Sequence, residues 1–220
     1  MITTALLAFL GALLAVVLFQ MFRGGKQAGS AAAQAAATAA LPARSPSGAN
    51  VDLMQAKPGD VISIPGAAAD FSDVDFTVDR RSAYEYMNRR WTDLSGDFRG
   101  QRVYLEVQGA GELDAMVIVD PRQLTPPELG TTEAALADFD ARQDPTAALT
   151  FEGRQWQYES SREIGYFENE TGDGEGLYRW TFRDTAGNRV LLVEKWEGEP
   201  FEARVAQRMN PRDLTVFRAA

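Results

Sequence analysis

The side chains able to do chemistry in this sequence are carboxylates, tyrosines, lysines and hydroxyls, because its 220 residues include no histidine and no cysteine. That absence removes Ser-His-Asp triads, cysteine nucleophiles, and zinc, haem or iron-sulfur centres built on His or Cys ligands. The densest acidic run is Glu168-Asn169-Glu170-Thr171-Gly172-Asp173-Gly174-Glu175-Gly176, four carboxylates among three glycines. A hard cation such as calcium takes about six to eight oxygens, but the spacing is not that of an EF-hand loop. Glycines that supply positive φ and carboxylates that supply solubility make a solvated hairpin tip the better reading. Asp138, Asp140 and Asp144 have still less claim to a cation. Asn169-Glu170-Thr171 has the form of a glycosylation sequon, which would carry no meaning in a loop kept in the cytoplasm.

Glu194 and Glu197 flank Lys195 and Trp196, and two carboxylates beside an aromatic ring are the equipment of a glycosidase. Neighbouring side chains on a strand point to opposite faces, so these two acids share a face only if a bulge intervenes. Arg90-Trp91-Thr92 and Arg179-Trp180-Thr181 have the make-up of a stacking platform, but a Trp between two outward polar residues reads more simply as core. No catalytic, cofactor-binding or metal residue stands out. The expectation is a protein that is not an enzyme and needs no cofactor.

Lys+Arg 22 against Asp+Glu 31 gives a net charge of −9. A duplex carries about one negative charge per 1.7 Å, and reading it requires clustered cations, so no nucleic-acid partner is expected. Without cysteine the fold rests on buried apolar area rather than on disulfides.

The elements that would carry these residues begin with a membrane anchor. Ile2 to Phe22 holds no charged side chain and spans roughly 31 Å as a helix, the thickness of a hydrocarbon core. A cleaved signal wants basic residues before its apolar run; here Arg23 and Lys26 follow it. By the positive-inside rule they hold the C-terminal flank in the cytoplasm. The expectation is a single-pass protein of a bacterial inner membrane, with residues 1–23 in the bilayer and the C-terminal body in the cytoplasm. Residues 24–50, rich in Ala, Gly, Ser and Pro, read as a flexible linker. Residues 1–26 carry two cations and no acid, so the remainder holds −11 and is repelled by an anionic leaflet.

Beyond this linker the vocabulary is Val, Ile, Tyr, Phe, Trp and Thr between Gly, Asp, Asn and Pro, that of strands and turns. Val61–Ile64, Phe76–Val78, Arg102–Val107 and Met116–Val119 supply four strands to a first β unit, residues 51–125. Residues 126–147 form a connector. In it Thr125-Pro126-Pro127-Glu128 has the form of a capping box, and Thr132 to Gln143 places Leu136 and Phe139 on one helical face. Residues 148–220 form a second β unit, with strands at Tyr178–Phe182, Val190–Val193 and Phe201–Val205.

Short segments recur in order about 90 residues apart. Arg90-Trp91-Thr92 matches Arg179-Trp180-Thr181, and Gly100 to Leu105 matches Gly187 to Leu192. Asp120 to Thr125 matches Asn210 to Thr215, and Phe76 to Asp79 aligns loosely with Trp156 to Glu159. One supersecondary unit used twice leaves such a trace. The fold class expected is mainly β: two tandem antiparallel units, each a sandwich or half-barrel, joined by a short helix and preceded by a transmembrane α-helix.

Tyr178 to Glu199, Asn210 to Leu214, and the opening Leu53 to Ser63 resemble bacterial proteins that carry domain of unknown function 4178. The resemblance covers most of residues 53–218 and implies a β-rich, often duplicated body with no assigned catalytic residue. It also implies genes set beside polyamine-synthesis enzymes and small multi-spanning membrane proteins. The function expected is a non-enzymatic interaction or adaptor module with an unidentified protein partner. A binder of a cationic small molecule such as a polyamine is the alternative, since acids and aromatics suit a polycation. A carboxylate-only enzyme is the remote third.

Overall fold

The computed structural model describes residues 53–219 apart from 110–112, 121 and 186. The anchor residues Ile2, Phe22, Arg23 and Lys26, and the linker, lie outside the described residues. Eleven strands follow in chain order: β1 (Val61–Ile64), β2 (Val74–Tyr86), β3 (Arg89–Phe98), β4 (Gln101–Gln108), β5 (Asp114–Ile118), β6 (Ala148–Phe151), β7 (Arg154–Phe167), β8 (Glu175–Asp184), β9 (Arg189–Trp196), β10 (Phe201–Met209) and β11 (Thr215–Phe217). One α-helix, α1 (Glu133–Arg142), lies between β5 and β6. Among the described residues no helix is long and apolar enough to cross a bilayer.

All strands join one antiparallel sheet, ordered β11-β1-β2-β3-β4-β5-β10-β9-β8-β7-β6. A further pairing, Ala83, Tyr84 and Glu85 of β2 against Phe167, Tyr166 and Gly165 of β7, joins two strands from opposite ends of that order. Strands β2-β3-β4-β5-β10-β9-β8-β7 therefore close into a ring of eight, which leaves those strands no open edge. Strands β2 and β7 are long enough to serve twice. The first part of each pairs with its own flanking strand, β1 or β6, and the last part closes the ring.

Each long strand changes faces at a bulge in its middle, at Val78/Arg80 in β2 and at Tyr158/Ser160 in β7. Before the bulge, Val74, Phe76 and Val78 join one apolar core, and Trp156 and Tyr158 join another. After it, Tyr84 and Ile164 of these strands turn into the ring, where they cluster with Trp91 and Leu177. On β4 the alternation is plain: Val103, Leu105 and Val107 enter the first core, while Tyr104 packs with the residues inside the ring. The matching strand β9 sends Leu191 and Val193 into the second core and Val190 and Leu192 inside. Strands buried on both faces are what the apolar run Val190 to Val193 announces.

Close packing decides Gly96 on β3. A Cβ there would lie 2.2 Å from the Thr77 carbonyl oxygen and 2.6 Å from Phe76 Cδ2, so β2 and β3 can meet only over a glycine.

Several sequence expectations meet the register directly. The first half has five strands rather than four. Arg89–Phe98, with Asp93, Ser95 and Gly96 in its middle, lacks the apolar run that marks a strand, and its pairing on both sides makes it one. Helix α1 starts at Thr132, whose hydroxyl accepts from Ala135 N at 3.1 Å, and buries Leu136 and Phe139. Glu128 does accept from both the amide and the hydroxyl of Thr125 at 2.7 Å, but that box closes a single turn rather than opening a helix. The loose alignment of Phe76–Asp79 with Trp156–Glu159 coincides with the two bulges. Asp120 and Asn210 make the same turn, each accepting from the amide two residues on at 3.1 Å. Leu124 and Leu214, beyond those turns, each pack against the core of the other half.

The Arg-Trp-Thr match is out of register. Trp91 lies opposite Tyr84 inside the ring, whereas Trp180 lies opposite Ser161 and faces the second core. Counted from the bulges, Asp93 is the counterpart of Arg179, and Glu106 of Glu194. Three identical letters are too short to fix a register that the bulge and the ladder set.

Candidate functional site

The inside of the ring is polar at its centre. Arg179 of β8 is buried, and its Nη1 donates to Glu106 Oε2 of β4 at 2.9 Å. Strands β8 and β4 stand on opposite sides of the ring, so this contact spans the interior. Arg179 Nε donates to Glu194 Oε1 at 2.7 Å, and Nη2 lies 2.6 Å from the same oxygen as an ion contact without hydrogen-bond direction. Glu106 Oε2 also accepts from Trp91 Nε1 at 3.1 Å. The Tyr84 ring lies beneath the guanidinium, 4.5 Å from its centroid, and stacks on Trp91 at 5.6 Å. Burial works against the Arg179 charge, but Glu106 and Glu194 outweigh it and hold the guanidinium's proton affinity well above its ordinary value.

Asp93 is the unmatched member of this group. It is 2% exposed, lies directly across the ladder from Glu106, and its Oδ1 has no hydrogen-bond partner. Like charges opposed on a sheet repel, and burial disfavours the charged form of a carboxylate. Burial, then Glu106, push its pKa up to about 7. Where the second half opposes Arg179 to Glu194, the first opposes Asp93 to Glu106.

This group separates two cavities. The larger, about 680 Å³, is lined by Arg89, Arg90, Arg162, Arg208 and Arg179 with only Asp114 and Glu159 as acids, together with Trp91 and Tyr86. Arg208 is held by both Glu159 oxygens at 2.9 Å. Arg162 lies over Tyr86 at 5.0 Å and donates to Ser160 Oγ at 2.8 Å. Neither Arg89 nor Arg162 has an ion-pair partner among the described residues. The smaller cavity, about 220 Å³, is lined by Asp93, Glu106, Glu194 and Glu168, by Tyr84, Tyr104, Tyr166 and Trp196, and by Arg80 and Arg204.

The acids singled out by sequence do other work. Glu168 pairs with Arg80 at 2.8 Å and Glu170 with Arg81 at 3.0 Å, tying the acidic tip to β2. Among the described residues no group of three acids is placed to hold a metal ion. Asp138 pairs with Arg142 along α1, Asp140 accepts from Ser161 at 2.6 Å, and Asp144 accepts from Thr146 at 2.8 Å. Glu194 faces the ring interior, and Glu197 lies in the exposed turn after β9, so the two do not converge. Both tryptophans of the repeated motif are buried, as expected of core, but Arg179, read as outward and polar, is buried too. Sequence missed Asp93 and Glu106; the available signal was an acid inside an apolar strand, as in Leu105-Glu106-Val107.

No curated protein and no solved structure matches the chain. The model of a family defined by a domain of unknown function (DUF4178) matches residues 64–211, which run from the last residue of β1 to the turn after β10 and so contain the ring, the arginine group and both cavities. The chain belongs to that family, the proteins carrying domain of unknown function 4178.

Proposed function

We propose that this chain is a membrane-tethered, non-enzymatic binding module whose β body takes a small multivalent oxyanion into the arginine-lined cavity. The carrying observation is the sign and size of that cavity. In a chain of net charge −9, five arginines converge on about 680 Å³ against two carboxylates. That volume suits a small organic or inorganic ligand, and guanidinium forks suit phosphate, sulfate and carboxylate groups. Nothing in the site resembles a nucleophile with its base, so binding rather than turnover is the reading.

Isothermal titration of the full-length chain in detergent micelles with phosphate, sulfate and citrate should give saturable heat that weakens as salt is raised. Arg162→Ala should weaken it about tenfold, the worth of one charge-assisted hydrogen bond. No saturable heat from any of the three anions would end the reading. A second reading, the cationic ligand such as a polyamine, draws on the acids and aromatic rings of the smaller cavity; saturable binding of spermidine without any anion would favour it. A protein partner remains the reading if neither ion class binds, and the exposed Phe71 and Met87 would be its first contacts to test.

The tether reading rests on residues 2–22 and the two cations behind them. It places the body on the cytoplasmic side of a bacterial inner membrane. Protease added to intact spheroplasts should leave the body undigested, and complete digestion would reverse the orientation.

A further inference from the structure

The two cavities share one group of charges. Arg179 lines the large cavity, while Glu106 and Glu194, which neutralise it, line the small one together with Asp93. Asp93 sits two residues beyond Trp91 on the same face of β3, so it lies one strand repeat, roughly 7 Å, from the chamber wall. We infer that an oxyanion entering the arginine-lined cavity binds together with a proton, which is taken up at Asp93. This inference rests on the anion-binding reading above and adds to it a chemical event at a residue outside the chamber.

The geometry supplies both ends of the coupling. On the chamber side, Arg179 lines the wall while its guanidinium contacts Glu106 and Glu194, so an anion held there shares the charge that those two acids use. Each increment of Arg179 charge shared with a ligand is withdrawn from Glu106 and Glu194. On the other side, three carboxylates then crowd a low-dielectric interior with less compensation, and repulsion favours protonating one of them. Asp93 is the one, because Glu106 keeps the Trp91 N–H and Glu194 keeps Arg179 Nε, whereas Asp93 Oδ1 has no donor.

The groups facing Asp93 are Arg80 and Tyr84 from β2, Tyr104 and Glu106 from β4, Tyr166 from β7, and Arg179, Glu194 and Arg204 from β8, β9 and β10, with Glu168 at the rim. Burial together with Glu106 outweighs Arg80, itself held by Glu168, and Arg179, both of which draw the Asp93 proton affinity down. Burial and Glu106 already bring Asp93 to about 7, so near neutrality it is half charged and has capacity to accept.

Sulfate is the probe, because it does not titrate near neutrality. The full-length chain in micelles is titrated with sulfate at pH 7 in two buffers of different ionisation enthalpy. The heats should differ by an uptake of about 0.3–0.5 proton per sulfate bound, a fraction that disappears below about pH 5, where Asp93 is already protonated. Asp93→Asn should bind sulfate with equal heats in both buffers. Binding of sulfate to the unaltered chain with equal heats overturns the inference and leaves the anion reading standing. Absence of binding ends both. Proton uptake that persists in Asp93→Asn overturns the assignment to Asp93, and the pH series on the unaltered chain decides the matter if that variant does not fold.

Discussion

Arg179→Met is expected to destabilise the β body by about 3–5 kcal/mol at neutral pH, the cost of leaving buried carboxylates without their counter-ion. The variant keeps the length and apolar stem of the arginine, but Glu106 and Glu194 lose the contacts at 2.9 and 2.7 Å that offset their burial. Because β8 and β4 face each other across the ring, the damage falls on closure itself rather than on one hairpin. Arg179→Lys should recover only part of the loss, since an ammonium cannot present the fork that reaches both glutamates. Combining Arg179→Met with Glu106→Gln and Glu194→Gln should return most of it, because the uncompensated charges are then gone. Chemical denaturation of the full-length chain in micelles, followed by tryptophan fluorescence, measures each. A cost for Arg179→Met below about 1 kcal/mol, typical of an exposed ion pair, would show that water reaches this group freely.

Asp93→Asn should stabilise the protein at pH 8 by about 2–4 kcal/mol and change little at pH 4. In the fold Asp93 keeps its proton up to about pH 7, while its ordinary value is 3.8. A folded-state pKa above the unfolded one means that the proton favours folding. That contribution is complete below about pH 4, declines through the window between, and is lost once pH passes about 7. Asparagine resembles the protonated acid and carries no charge to bury, so the variant escapes the decline. Thermal unfolding of both proteins at pH 4, 5, 6, 7 and 8 should show stabilities that separate progressively from about pH 4 and hold a constant difference above about pH 7. Parallel curves across that range would mean that Asp93 ionises in the fold as it does in water.

These expectations turn on how much of the molecule was legible before the fold was known. The strands Val61–Ile64 and Val190–Val193 announced themselves by apolar pattern, and α1 by Leu136 and Phe139 three residues apart behind Thr132. Those are local signals, and local geometry honours them. Strand β3 was less legible because its middle carries Asp93, Ser95 and Gly96, whose burial depends on partners far along the chain. The acidic tip drew attention by density, yet Glu168 and Glu170 are spent on Arg80 and Arg81, a pairing over more than 80 residues. Density of charge in sequence is usually exposure in space.

The sequence by itself determined that the body is mainly β, that His and Cys chemistry is excluded, that a helix separates two runs of strands, and that Trp180 and Phe182 share a buried face. It did so because side-chain period and the residue inventory are properties of the chain taken locally. Only the tertiary structure decided that β2 meets β7. With that one pairing the outward face of each half became the inside of a ring, and Arg179, Glu106 and Asp93 passed from surface residues to a buried charge group between two cavities. Whether a polar face is solvent or interior depends on what a sheet closes against, and a period of two cannot distinguish them.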